Sequence, residues 1–96
     1  MKFIEYDAAK YLTDEETIAF YLTDALENGS EAEFLLALKN VAKARGMTQL
    51  AKDSGVPRES LYKTLSGESK PRFETITKIV NALGVNLAFT PRSTSI

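Results

Sequence analysis

Residues 46–73 read GMTQLAKDSGVPRESLYKTLSGESKPRF, and this stretch decides the fold. Its pattern predicts two short helices joined by a tight turn. Gly55 suits the left-handed backbone that ends a helix, and Pro57 suits the start of the next helix, where a missing N–H costs nothing. Leu61 and Leu65 are four residues apart and give the second helix a buried stripe. We therefore expect a compact helical pair at the centre of this stretch.

The polar side of the second helix indicates a function. That helix is predicted over residues 58–65, and its outward side chains are those of Arg58, Glu59, Ser60, Tyr62 and Lys63. In a helix-turn-helix, the second helix enters the major groove of DNA and its first turns meet base edges. The spacing therefore favours a DNA-binding helix-turn-helix. The alternative is an ordinary solvated helix hairpin with scattered charges.

The outward residues have predicted roles at DNA. Arg58 and Lys63 are the candidates for reading bases, because a cation can hold the O6 and N7 atoms of guanine. Glu59 either accepts from N4 of cytosine or is simply a favourable acid in the first turn of the helix. The other candidate DNA-binding residues, suited mainly to phosphate and sugar contacts, are Thr48, Gln49, Ser60, Tyr62, Lys70 and Arg72. Thr48 is also the predicted cap of the first helix of the pair.

The charges divide along the chain. Residues 1–38 carry two lysines and nine acids, a net charge of −7, whereas residues 39–96 carry ten lysines or arginines and four acids, a net charge of +6. Such an asymmetry suggests two surfaces with two tasks. The basic part coincides with the predicted helical pair and can meet phosphate. The acidic part either binds a basic protein or only places acids at helix N-termini, where they are favourable.

The rest of the chain is also predicted to be helical. Three further helices are expected over residues 14–27, 31–45 and 73–83. Capping boxes at residues 13–16 and 30–33 open the first two of them. The predicted inward residues of the three helices are Ile18, Leu22, Ala25, Leu26, Phe34, Leu35, Leu38, Val41, Ala42, Phe73, Ile76, Ile79, Val80 and Leu83. Phe20 and Tyr21 widen the first helix beyond one buried face, so either they pack against the N-terminal segment or one of them is exposed for a partner.

Residues 85–90 alternate apolar and polar side chains and predict a short strand. A lone strand needs a partner, which is either residues 3–6 or the same strand of a second copy. We expect a homodimer whose seam is the last helix and this strand. The tail, residues 91–96, is predicted to be flexible. At 96 residues the chain is expected to form a single domain, with an acidic segment and helix over 1–30 and a helix-turn-helix core over 31–84.

From Gly46 to Val85 the chain resembles the lambda-repressor and Cro class of helix-turn-helix domains, also called the XRE type. With YLTDEETIAFYL at 11–22 and ARGMTQLAKDSG at 44–55, it resembles more specifically the HigA-like addiction-module antidote proteins, from about Tyr6 to Phe89. The resemblance implies an all-α, five-helix lambda-repressor-like DNA-binding domain with an N-terminal extra helix and a short C-terminal β-strand. Two features depart from the general repressor pattern: two residues are missing from the first helix of the pair, and Pro57 replaces the usual Ser or Thr cap.

The resemblance also implies a function. Antidote proteins are the antitoxin halves of bacterial type II toxin–antitoxin pairs, so we expect a repressor that binds operator DNA of its own operon. The same chain is expected to bind and neutralise a small cognate toxin, RelE/ParE-like. A phage-type or metabolic XRE regulator with no toxin partner is the alternative, because it shares every feature that the residues themselves indicate.

Composition disfavours other classes. The chain contains no histidine and no cysteine, so the usual general base and thiol nucleophile are absent, and we expect neither an enzyme nor a cofactor or metal site. No signal peptide or membrane-spanning run is predicted, which points to the cytoplasm. A protein-binding module without DNA function is a further alternative, and the basic cluster of Lys63, Lys70 and Arg72 counts against it.

Overall fold

The computed structural model describes residues 14–68 and 70–92, and this part of the chain is all-helical. It contains five helices: α1 Glu15–Asn28, α2 Glu31–Arg45, α3 Met47–Ser54, α4 Arg58–Ser66 and α5 Phe73–Ala82. The all-α prediction is confirmed. The four helices whose ranges were predicted begin and end within one residue of those ranges.

Side chains cap the two helices of the acidic half. The Asp14 carboxylate accepts from the backbone N–H of Thr17 at 2.7 Å and from its hydroxyl at 2.9 Å, and these bonds lower the pKa of Asp14. The cap therefore stabilises α1 at neutral pH and is lost on acidification. The predicted capping box at residues 13–16 is wrong, because the cap is Asp14 and not the residue before it. The box at Ser30 is confirmed: Ser30 and Glu33 each accept from the other's backbone N–H.

Helix α2 is the centre of the packing. It contacts α1, α3 and α4, while α5 packs on α3. Each of these helices contributes apolar side chains to one shared core: Leu50 is the buried residue of α3, and the other four helices bury two or more residues each. The buried hydrophobic residues are Ile18, Leu22, Leu35, Ala37, Leu38, Val41, Ala42, Leu50, Val56, Leu61, Leu65, Ile76, Ile79, Val80 and Leu83.

Two predicted core residues are instead exposed. Leu26 is 53% exposed and Phe73 is 71% exposed. Because an α-helix turns by about 100° per residue, Leu26 lies roughly 80° around the axis from Ile18, at the edge of the buried stripe. Phe73 is the first residue of α5, and helical periodicity alone does not say whether another element covers that end. The interior prediction was therefore wrong at both positions.

Residues 85–90 do not form the predicted strand within the part of the chain that the structure describes. A strand needs a hydrogen-bonded neighbour, and residues 3–6, offered as one neighbour, lie outside the described residues. Instead the side chains of Val85, Leu87 and Ala88 line a cavity of about 170 Å³ against α1, opposite Leu22 and Leu26. Val85 and Leu87 of the alternating pattern therefore line a cavity against α1, whereas its third apolar residue, Phe89, is 98% exposed.

Arg45 joins the end of α2 to the end of α5. Its guanidinium donates to the carbonyl oxygens of Ala82 at 2.9 Å and Leu83 at 3.4 Å, and it lies 3.9 Å from the Asp53 carboxylate. The last carbonyls of a helix have no partner within it, so a cation there satisfies them. Arg45 therefore has a structural task, although by charge alone it counts with the basic half.

We expect Arg45→Ala to lower the free energy of unfolding by about 1–2 kcal/mol, because charge-assisted hydrogen bonds to the end of α5 are lost at a partly exposed site. Lys43→Ala is the matched control, since it removes a cation from the same helix at an exposed position. Urea denaturation followed by circular dichroism measures both. Equal midpoints for the two variants would contradict this structural task.

Candidate nucleic-acid interface

Helices α3 and α4 form a tight pair. Gly55 ends α3 in the left-handed conformation, with φ 76° and ψ 8°, which a residue with a Cβ adopts only under strain. Val56 is buried beneath the turn, and Pro57 stands at the N-cap of α4 with φ −56° and ψ 146°. Leu61 and Leu65 are buried. The predicted helix, turn and buried stripe of residues 46–66 are therefore confirmed.

The structure leaves every predicted DNA-binding residue accessible to solvent. These exposed residues are Thr48, Gln49, Arg58, Glu59, Ser60, Tyr62, Lys63, Lys70 and Arg72. Five of the nine lie on α4 and are exposed, whereas Leu61 and Leu65 of the same helix are buried. Their contacts with DNA stay predictions.

Arg58 and Tyr62 interact across one turn of α4. The Arg58 guanidinium donates to the Tyr62 hydroxyl at 3.3 Å, and its central carbon lies 5.7 Å from the centre of the ring. Such a cation–π contact at an exposed site is worth about 0.5–1 kcal/mol. The contact restrains the long Arg58 side chain on the outward face of α4.

The start of α3 differs from the prediction. Its N-cap is Gly46, with φ 99° and no side-chain cap, so the expectation that Thr48 caps this helix is wrong. Gly46 is both the C-cap of α2 and the N-cap of α3. Thr48 therefore lies inside α3. Gln49 donates to the Asp53 carboxylate at 2.9 Å. The amide of Gln49 is therefore held along α3.

The helix N-termini are capped differently in the acidic and the basic half of the chain. A side chain caps α1 and α2, whereas Gly46, Pro57 and Arg72, the N-caps of α3, α4 and α5, make no side-chain cap bond. The first N–H groups of a helix have no partner within it and attract anions. In the basic half these groups are left without a capping side chain.

A groove of about 610 Å³ lies between α2 and α4. Lys39 and Lys43 line it from α2, and Tyr62 and Lys63 line it from α4, with Glu68 beyond the end of α4. Lys39 and Lys43 are not among the residues that the sequence predicts at DNA. Their spacing of four residues places both on one outward side of α2, but nothing local in the sequence shows that this side faces α4.

Helix α1 is acidic, in contrast to the lysine-lined groove between α2 and α4. Helix α1 contains no lysine or arginine, and the exposed residues Glu16, Phe20, Asp24 and Glu27 lie within about 80° of one another around its axis. We call these four residues the acidic face. Phe20 at its centre is 76% exposed, whereas the hydroxyl of the neighbouring Tyr21 accepts from the Asn40 amide at 2.9 Å. Phe20 is thus the exposed member of the aromatic pair.

Comparison with known proteins identifies the family. The family model of probable addiction module antidote proteins matches residues 2–91. A protein of Haemophilus influenzae strain KW20 / Rd, described as uncharacterized, is 45% identical over 85 residues, which cover 88% of this chain and 86% of that protein. No solved structure matches the chain. Among the described residues, no helix has both the length and the apolar character to cross a membrane. The chain belongs to the family of probable addiction module antidote proteins.

Proposed function

We propose that this protein is the antitoxin of a bacterial type II toxin–antitoxin module, a non-enzymatic regulator with two binding tasks. Helices α3 and α4 form a lambda-repressor-like helix-turn-helix of the HigA-like, XRE type, which binds and represses the operator of its own operon. A second surface binds and neutralises the cognate toxin. The observation that carries the DNA part is α4, in which Leu61 and Leu65 are buried while Arg58, Tyr62 and Lys63 are exposed.

Electrostatics support DNA as the ligand of this side. Residues 39–96 have a net charge of +6, and the N-termini of α3, α4 and α5 carry no side-chain cap. Phosphates supply most of the affinity in protein–DNA complexes, and base edges supply the specificity. Lys70 and Arg72, in the segment between α4 and α5, are proposed to contact phosphate.

Fluorescence anisotropy with a labelled promoter fragment, at two salt concentrations, tests the DNA part. We expect tight binding that weakens steeply with salt, and weaker binding to a scrambled fragment of equal length. Salt-independent binding, or equal affinity for both fragments, would exclude a sequence-specific repressor. Absence of salt-dependent DNA binding, together with a preserved toxin complex, would favour a protein-binding module without DNA function.

Arg58→Ala should cost about 1–3 kcal/mol of operator affinity and relax the preference at one base pair, because a bidentate contact to guanine is lost. Arg92→Ala is the control, since Arg92 is an exposed cation that lies beyond residue 90, outside all five helices. Anisotropy on fragments with each base substituted measures the preference. If Arg58→Ala and Lys63→Ala both keep the wild-type preference, α4 is not the recognition helix.

The toxin part of the proposal rests on the family and on charge. An antidote acts on a toxin, and the acidic face of α1 is suited to a small basic protein of the RelE/ParE-like kind. Purification of the tagged chain from its native locus, followed by mass spectrometry, tests this. A stoichiometric basic protein from the adjacent reading frame supports the proposal. Recovery of the chain alone, still bound to promoter DNA, would leave a phage-type or metabolic regulator.

We also propose that the protein is cytoplasmic and that it forms a homodimer. The dimer is proposed because lambda-repressor-like domains bind as dimers to two half-sites about 34 Å apart. Helix α5 and residues 85–90 are the proposed seam, and Phe89, which is 98% exposed, belongs to it. Light scattering behind size-exclusion chromatography gives the mass directly. Phe89→Ser should shift the dimer toward the monomer, and a monomeric wild-type protein would contradict the seam.

A further inference from the structure

The groove between α2 and α4 is basic at its rim. Lys39 and Lys43 are one turn apart on α2, and Lys63 lines the groove from α4. One acid, Glu68, also lines it. The floor includes Met47 and the buried side chain of Leu65. Lysine stems can lie along such an apolar floor and hold the ammonium groups at the rim.

The groove opens on the same side as the proposed recognition residues. Tyr62 and Lys63 are exposed on the outward face of α4 and also line the groove. An α-helix is about 10–12 Å across and the major groove of DNA is about 12 Å wide, so a helix seated there nearly fills it. The flanking sugar–phosphate backbone then lies beside α4, where Lys39 and Lys43 project.

A second cavity of about 710 Å³ adjoins this groove, and Lys39 lines both. Lys70 lines the second cavity together with two acids, Glu31 and Glu68. Lysines are therefore spread over two adjoining cavities beside α4. Cations spread over this length complement a strand of phosphates better than they complement a compact anion, which would occupy one position only.

We propose that Lys39 and Lys43 bind consecutive phosphates of the DNA strand that flanks α4, and that the groove between α2 and α4 receives this strand. The inference rests on the proposed DNA-binding function and extends it to a helix outside the helix-turn-helix. The two lysines add affinity for every DNA sequence and take no part in base readout.

The test is the salt dependence of DNA binding by the full chain. Each phosphate contact adds about 0.9 to the slope of log affinity against log salt. Lys39→Ala/Lys43→Ala should therefore reduce the slope by about 1.8, so that from about 50 to 200 mM salt the wild type loses roughly 12-fold more affinity than the variant. The ratio of operator to scrambled-fragment affinity should stay at the wild-type value.

Two variants control this experiment. Lys39→Arg/Lys43→Arg keeps both charges and should keep most of the slope, which separates charge from packing. Arg92→Ala removes an exposed cation beyond the proposed dimer seam and outside both cavities, and should leave the slope unchanged. Circular dichroism melting confirms that each variant is folded, which we expect because Lys39 and Lys43 are exposed.

The outcomes separate the two proposals. A steep wild-type slope that is unchanged in Lys39→Ala/Lys43→Ala overturns this inference and leaves the DNA-binding function intact. Absence of salt-dependent binding by the wild type overturns both. The inference is also wrong if the double variant keeps the wild-type salt slope but becomes monomeric or no longer binds the toxin. The groove would then be a protein-binding surface.

Discussion

Leu38→Ala should lower the free energy of unfolding by about 2–5 kcal/mol, the range for a buried leucine truncated to alanine. Leu38 is fully buried near the middle of α2, and α2 contacts α1, α3 and α4. The cavity left behind would therefore be enclosed by several helices, which limits how far the core can collapse. Small domains are stable by only about 5–15 kcal/mol, so this loss is a large fraction of the whole.

The same helix supplies the matched control. Leu36 lies two residues before Leu38 and is 56% exposed, so Leu36→Ala removes the same atoms from the surface. We expect its effect to stay within about 0.5 kcal/mol of the wild type. Guanidinium denaturation followed by circular dichroism gives both values. A similar loss for the two variants would mean that α2 is not the packing centre.

Local signals were enough to predict the bounds of four of the five helices to within one residue, although the caps of α1 and α3 were predicted at the wrong residues. The Ser30 capping box, the glycine between α3 and α4, and the spacing of Leu61 and Leu65 each act within a few residues, so the sequence contains the whole cause. Core membership and the C-terminal segment depend on other elements. Whether Phe73 is covered, and whether residues 85–90 pair with a strand or pack on a helix, is decided by residues distant in sequence.

The candidate site also combines residues that the local sequence predicts with residues that only the packing of the helices brings together. The predicted exposure of the five residues on α4 was right for each of them. Lys39 and Lys43 were missed because a groove between two helices exists only after the helices pack. The net charge of residues 39–96 includes Arg45, although its guanidinium donates to the carbonyl oxygens that end α5. Net charge therefore overstates the number of cations that are available to phosphate.

Phe20→Ala should weaken the proposed toxin complex by about 2 kcal/mol or more, roughly 30-fold, because exposed aromatic side chains at the centre of an interface are typical hot spots. Phe20 is 76% exposed and stands among Glu16, Asp24 and Glu27 on the acidic face. Basic residues of the partner can pair with these carboxylates while an apolar pocket receives the ring. Calorimetry with the co-purified toxin measures the change.

Phe73→Ala is the control, because Phe73 has a similar exposure of 71% but lies on α5. It should leave toxin affinity within a few tenths of a kcal/mol of the wild type, as expected for a residue outside the interface. Operator binding by Phe20→Ala should also be unchanged. The acidic face is not the toxin site if Phe20→Ala binds the toxin with wild-type affinity.

The central position of α2 has a consequence for genetics. Because α1 packs on α2 and so does α4, both proposed binding surfaces depend on one folding unit. Alleles that damage the interior of α2 should abolish repression and protection from the toxin together, and no selection on core positions can uncouple them. Alleles that separate the two phenotypes should change only exposed residues, on α1 for protection and at the proposed DNA-contacting positions of α2, α3, α4 and the segment before α5 for repression.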